Sequence, residues 1–396
     1  MKYMLFLLIG LIISFIPPLL IKRYLFHRLA QKDSTEKMLH RKKICGYMQM
    51  MVSIAGSIVI AVGILLIVEQ FHHPIAIRVI SSKFICFIFY WLTAVALYVY
   101  NQFIYYEIYK QIQQLEATKR EALLMSIKYI IYITIVPVVV KLIYLTPFIQ
   151  QLEQQGELMK FVIWGSILFG ASIFSPYLIK IIFNAIPLQD EQLRRELMNE
   201  IHRHQLKGVK IYQIPTSKFK YANAAASGIL AKKIFILDYL MKHLTVEEVK
   251  CVLAHEIGHI KKFHLEIKTA CYLLSCIVFL FSLSQLNRLM HWLSTQPINA
   301  EYAYLGLILA ITVFIPLMLL LLYVNRLISR MLELQADCYA IRSGINVEVY
   351  ISMLNKLMEL SHAQKEPNKL SSAFQTHPSF QKSIETVRQC AYQDGL

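Results

Sequence analysis

Hydrophobic positions follow two patterns along this 396-residue chain. The first is long unbroken apolar blocks. Seven of them, at 4–21, 50–68, 84–105, 124–145, 161–183, 269–286 and 303–324, have the length a helix needs to span a bilayer. The first block resembles a signal peptide, but it ends in Pro17-Pro18 and then Ile21-Lys22-Arg23 with no small-x-small cleavage site, so it reads as a retained anchor. The second pattern belongs to two polar segments. In 187–267 a charged helix is expected over 191–204. Val209 to Ile214 alternates as a strand does, and Lys233–Leu237 reads as another strand. Thr245 and Glu248 then form a capping box that starts a helix over 247–262. In 326–396 a helix continues the seventh block without Gly or Pro over 323–342 and stops at Gly344. A second helix covers 347–361, a polar loop 363–372, and a last helix begins near Ser379. The expected fold is mainly α: a polytopic membrane protein with about seven transmembrane helices and a small α/β domain. Its parts are 1–186 (five spans), 187–267 (polar segment), 268–325 (two spans) and 326–396 (polar segment).

Composition agrees with this plan. The chain is 56% apolar and carries a formal charge of +16. Lys22, Arg23, Arg28, Lys32, Lys37, Arg41, Lys42 and Lys43 follow the first block, and Lys110, Lys119 and Arg120 follow the third. The alternate connections are poorer in Lys and Arg. The positive-inside rule puts the rich side in the cytoplasm. The N-terminus is then outside, and both polar segments face the cytoplasm from the cell membrane. Juxtamembrane Lys and Arg beside anionic lipid account for much of the net charge. No nucleic-acid motif is present, so nucleic acid is not an expected partner. The seven cysteines are scattered without a C-x-x-C and read as reduced thiols, Cys251 and Cys338 among them.

Against this background one stretch carries chemistry: His255-Glu256-Ile257-Gly258-His259, or H-E-x-x-H, on the expected 247–262 helix. Histidines four apart share a helix face and can grip one metal ion, and the glutamate beside the first can act on a water there. A catalytic zinc takes three protein ligands and keeps one position open. Glu333 is the candidate third ligand. Asp337, one turn later on the same face, can hydrogen-bond a ligand histidine and fix its tautomer. Ala336 and Ala340 are small enough to let two helices approach. His264 falls off the metal face and reads as supporting or structural.

Four motifs together resemble the integral-membrane zinc endopeptidases, a group containing the CAAX prenyl proteases and the bacterial HtpX-type proteases. They are Asn223-Ala224-x-x-x-Gly228, Ala254-His255-Glu256-Ile257-Gly258-His259, Ser329-Arg330-x-x-Glu333-x-Gln335-Ala336-Asp337, and Thr376-His377-Pro378. Lys262-Phe263-His264 and the seven-span plan look more like the CAAX branch. The resemblance covers roughly 187–385 and implies a zinc-metalloprotease domain. One Zn²⁺ per chain would be held by His255, His259 and Glu333. Glu256 would be the general base, Asp337 the residue that orients a histidine ligand, and His377 a donor near the scissile carbonyl. The segment Asn223, Ala224 and Ala225 would be an edge strand that binds a peptide or membrane-protein substrate by strand addition. The pattern departs in one place: where the group often has arginine six residues after the His-Pro histidine, this chain has Ser383, with Lys382 beside it.

The leading expectation is a zinc endopeptidase cleaving peptides at the cytoplasmic membrane face. Within the same chemistry, an HtpX-like quality-control protease is an alternative. From other classes come a membrane sensor using a zinc-protease module, for which the external connections are short, and a channel or transporter with a structural zinc. A structural site would be closed by four protein ligands.

Overall fold

The computed structural model describes residues 2–30, 83–144, 146–295, 301–361 and 377–395. The apolar block at 50–68 and the loop expected at 363–372 lie outside the described residues. The chain divides into two compact units, 1–141 with 218–220, and 142–217 with 221–396.

In the first unit, helix α1 (Lys2–Ala30) packs on α2 (Lys83–Gln113) through Leu25, Ile104, Tyr105, Ile108 and Ile112. The Tyr105 hydroxyl donates to the Pro18 carbonyl at 2.7 Å, so the buried hydroxyl keeps a partner. These helices carry the first and third apolar blocks. Most of α3 (Lys119–Tyr144) follows in the same unit.

The second unit holds α4 (Pro147–Glu153), the long α5 (Glu157–Ile182), and then a mixed sheet with helices on it. Strand β1 (Ile186–Pro187) precedes α6 (Glu191–Arg203), whose N-cap Asp190 accepts from the Leu193 N–H at 2.9 Å. Strands β2 (Lys210–Ile214), β3 (Ala224–Ser227) and β4 (Lys233–Leu237) complete a sheet of order β1-β2-β4-β3. β2 and β4 run parallel, while β1 and β3 pair antiparallel with their neighbours. β3 is therefore an edge. Gly228 ends it at φ +94, where a Cβ would strike the Ala231 carbonyl and the Pro176 ring.

Helix α7 (Asp238–His243) leads into α8 (Val246–Lys261), which starts with the expected capping box of Thr245 and Glu248. Glu248 is buried. It also accepts from Ser352 at 2.8 Å and from Lys356 at 2.7 Å, both on α11 (Val347–Leu360). Burial opposes ionisation of Glu248, but these bonds and the Thr245 N–H outweigh it and hold its pKa below the ordinary carboxylate value. The long helices α9 (His264–Thr295) and α10 (Glu301–Arg342) follow, with α12 (Phe380–Gln393) closing the chain. One core joins Leu197 and Ile201 of α6, Ile234 and Ile236 of β4, Leu253 and Ile257 of α8, Ile341 of α10, Tyr350 of α11 and Val387 of α12.

Among the described residues, four helices are long and apolar enough to cross a membrane, over Lys119–Val140, Leu158–Ile182, His264–Leu289 and Thr312–Arg342. One cysteine expectation is corrected. Cys338 of α10 is not an isolated thiol: it is paired in a disulfide with Cys390 of α12, with Cα atoms 5.7 Å apart and a sequence separation of 52. Helix packing makes that neighbourhood, and cysteine spacing carries no trace of it. Cys251 is a free thiol, and burial pushes its pKa up to about 12, which leaves it unreactive.

Candidate metal centre

Helix α8 lies on α10, and the contact is close because small residues meet there. A Cβ on Gly258 would sit 3.2 Å from the Cα and the carbonyl oxygen of Ala336 and from the Tyr339 ring. Ala336 and Ala340 are fully buried. This approach brings the histidine face of α8 against the carboxylate face of α10.

The two ligand candidates on α8 converge at their Nε2 atoms, 3.1 Å apart. Glu333 of α10 places Oε2 3.4 Å from His255 Nε2 and Oε1 3.6 Å from His259 Nε2. One ligand atom from each residue lies within 4.8 Å of the others. Zinc bonds of about 2.0–2.1 Å in a tetrahedron put neighbouring donors roughly 3.3 Å apart, so this spacing fits an ion of that size.

The outer hydrogen bonds fix the tautomers to match. His255 Nδ1 donates to Asp337 Oδ1 at 2.9 Å, and the Tyr350 hydroxyl donates to the same oxygen at 2.7 Å. His259 Nδ1 lies 2.9 Å from His264 Nδ1, and His264 Nε2 lies 3.2 Å from Gln335 Oε1. The chain is satisfied when His264 Nε2 donates to Gln335 and His259 Nδ1 donates to His264. Both ligand histidines then present an Nε2 lone pair to the same point, facing a carboxylate. Lone pairs so arranged need a cation between them. Burial opposes a charge on His255, yet the Asp337 and Glu333 carboxylates overcome it and hold its pKa well above the ordinary histidine value. The same negative field that favours a proton there favours a metal ion.

Glu256 is buried beside this centre and its Oε2 accepts from the Ala226 N–H of β3 at 2.6 Å. The edge strand therefore runs past the acid–base candidate. The Leu237 N–H donates to the Asn223 carbonyl, so alternation turns the peptide groups of Asn223 and Ala225 toward β4 and those of Ala224 and Ala226 toward the open edge. Of the three strand residues expected from sequence, Ala224 is the one whose backbone faces outward. Asn223 instead uses its side-chain Oδ1 to accept from the Ala224 N–H at 2.9 Å. Ala226, not singled out beforehand, is the second outward residue. Its signal was available: it lies two positions after Ala224, the strand period.

His377 follows the undescribed segment and returns to the site, with Nδ1 2.9 Å from Glu333 Oε2 and a side chain 69% exposed. Ser383 is buried in α12, and Lys382 pairs at the surface with Glu385. Sequence reasoning missed Lys268, whose Nζ donates to Glu333 Oε1 at 3.0 Å. A lysine at the edge of an apolar helix was the signal. It also missed Tyr350, which nothing in its amphipathic helix distinguishes from a core residue.

The chain is similar to known proteins over this region. The model of peptidase family M48 matches residues 187–391. The protease HtpX of Legionella pneumophila subsp. pneumophila is 27% identical over 260 residues, which covers 59% of this chain and 89% of that protein. CAAX prenyl protease 1 of Saccharomyces cerevisiae is 26% identical over 232 residues, covering 54% of this chain and 51% of that protein. The crystal structure of S. mikatae Ste24p shares the fold, with a TM-score of 0.64 at 18% identity over 96% of this chain and 98% of that one. The resemblance read from the motifs is borne out. Because the family match takes in more than half of the chain, with both histidines, Glu256, Glu333, Asp337 and His377 inside it, this chain belongs to peptidase family M48 and is a membrane metallopeptidase.

Proposed function

We propose that the chain is a zinc-dependent endopeptidase that hydrolyses peptide bonds at the cytoplasmic face of the cell membrane, with a CAAX-protease-like plan. The observation that carries this reading is the convergence of His255 Nε2, His259 Nε2 and Glu333 on one point, with Glu256, next to His255 on α8, hydrogen-bonded to the edge strand. His255, His259 and Glu333 would hold one Zn²⁺. When bound, zinc supplies Lewis acidity to the attacking water and to the scissile carbonyl. Glu256 takes the proton from the water and passes it to the leaving amine. Asp337 keeps His255 in the tautomer that presents Nε2. His377 donates toward the developing oxyanion. Substrate backbone pairs with the outward peptide groups of Ala224 and Ala226, replacing the Asn223 Oδ1 and Glu256 Oε2 that their N–H groups hold without it, so a peptide is held extended across Glu256.

The test is metal content and cleavage measured together. Glu256→Gln keeps stoichiometric zinc and loses peptide cleavage by at least ~10²-fold, the scale of a lost general base. Glu333→Ala loses zinc. Undiminished cleavage by Glu256→Gln sinks the assignment of the base, and full zinc in Glu333→Ala removes it from the ligand set.

A second reading, an HtpX-like protease acting on membrane proteins, is favoured by the alignment that covers 89% of the Legionella protein. Comparing cleavage of a prenylated C-terminal peptide with that of a misfolded membrane protein separates the two. The chemistry is the same in both.

A further inference from the structure

We propose that the cleft at the start of α9 is a binding site for the phosphate headgroup of an anionic phospholipid. The cleft, about 350 Å³, lies between the 206–209 turn, the 230–232 loop and the end of α8. Lys207, Lys232 and Lys261 line it, and no carboxylate does. Beside them stand Leu230, 73% exposed, and Phe263, 62% exposed. An ordinary water-facing surface does not gather two such displayed apolar side chains around three lysines.

Position supplies the reason. Lys261 ends α8, Phe263 links the helices, and α9 is apolar enough to cross a bilayer from His264 onward. The cleft therefore sits where the chain passes from water into lipid. At that depth apolar side chains meet acyl chains while ammonium groups meet headgroup phosphates. Phe263 holds φ +57, a conformation that is costly for a bulky residue, and remains exposed there.

Two of the three charges, those of Lys207 and Lys261, are available to a ligand. Lys232 pairs with Glu266 at 2.8 Å and lies 5.3 Å from the Phe263 ring centroid. Lys207 and Lys261 take part in none of the ion pairs among the described residues. The carbonyl end of α8 is unfavourable to an anion, but the Ile260 carbonyl there already accepts from Lys232 Nζ and from the Phe263 N–H. Room exists as well, since a Cβ on Gly208 would meet nothing within 4 Å. None of these residues belongs to the metal centre, so the site stands whether or not the proposed zinc chemistry holds.

The experiment is lipid titration of the full chain in detergent, followed by native mass spectrometry, with dioleoylphosphatidylglycerol against dioleoylphosphatidylcholine. Wild type binds the anionic lipid at least about tenfold more tightly. Lys207→Gln/Lys261→Gln loses on the order of tenfold for that lipid, from roughly fivefold per lysine at most, and is unchanged for the zwitterionic one. Should the double variant not accumulate, the exposed single variant Lys207→Gln loses up to about fivefold. A photoreactive phosphatidylglycerol labels peptides around Leu230 and Phe263. Equal affinity for the two lipids, an unaltered variant, or labelling elsewhere overturns the proposal. Full displacement by millimolar inorganic phosphate also overturns it, because the site then recognises a soluble phosphate and not a lipid.

Discussion

At the scale of single residues, the centre is set by hydrogen bonds on the far side of each histidine. His255 would present either nitrogen to a metal if Asp337, itself held by the Tyr350 hydroxyl, did not hold Nδ1. Asp337→Asn keeps a side chain of the same shape but can turn its amide N–H₂ toward Nδ1 and favour the wrong tautomer. The expected result is about 10–100-fold weaker zinc binding with an intact fold, read by chelator competition and melting temperature. The raised pKa of His255 gives a pH dependence with two opposite signs. Metal must displace a proton there, so apparent zinc affinity goes on rising with pH above 6.5, the ordinary histidine value, by up to about tenfold per unit. In the metal-free protein the raised pKa contributes stability that is fully present below 6.5 and is lost as pH rises through the folded value. Zinc titrations and thermal melts of chelated protein across neutral pH read the two slopes. An affinity that is flat above 6.5 contradicts the arrangement.

At the scale of elements, function depends on how closely α8 can lie on α10. Gly258 occupies one of the two variable positions inside H-E-x-x-H, yet a methyl there would press on Ala336 backbone atoms at 3.2 Å. Backbone in a helix cannot swing aside as a side chain can. Gly258→Ala therefore either separates the helices or strains them, at a cost of about 1–3 kcal/mol. Because the separation falls between the histidines and Glu333, zinc content drops along with the melting temperature. A variant that melts lower yet keeps full zinc shows that the contact serves stability alone. The edge strand makes a parallel point. H-E-x-x-H and the 223–228 motif are far apart in sequence, and the bond from the Ala226 N–H to Glu256 ties strand to helix.

At the scale of the whole molecule, the Lys and Arg distribution and the disulfide bear on the same question, which side of the membrane holds the site. Cytosolic thiols are kept reduced, whereas oxidising compartments preserve disulfides. The structure holds Cys338 and Cys390 in the oxidised form, so a cytoplasmic site predicts that this form is the minority in cells: after acid quenching and alkylation under denaturing conditions both cysteines are mostly labelled. A fully protected pair reverses the proposed orientation. Much of the molecule was legible beforehand. Blocks of apolar residues mark helices by length, and a capping box marks where α8 starts. Residues four apart share a face, so both halves of the metal centre could be named. These are local consequences of helix geometry, and local geometry is what a sequence by itself determines. Tertiary packing decided the rest. It turned Ala224 and Ala226, not Ala225, to the open edge, because strand pairing sets the register. It set Lys268 and Tyr350 against the carboxylates and brought Cys338 to Cys390, because such contacts depend on the angle and separation of helices. No spacing along the chain encodes those, and they arise only when the apolar faces of α8, α10, α11 and α12 close on one core.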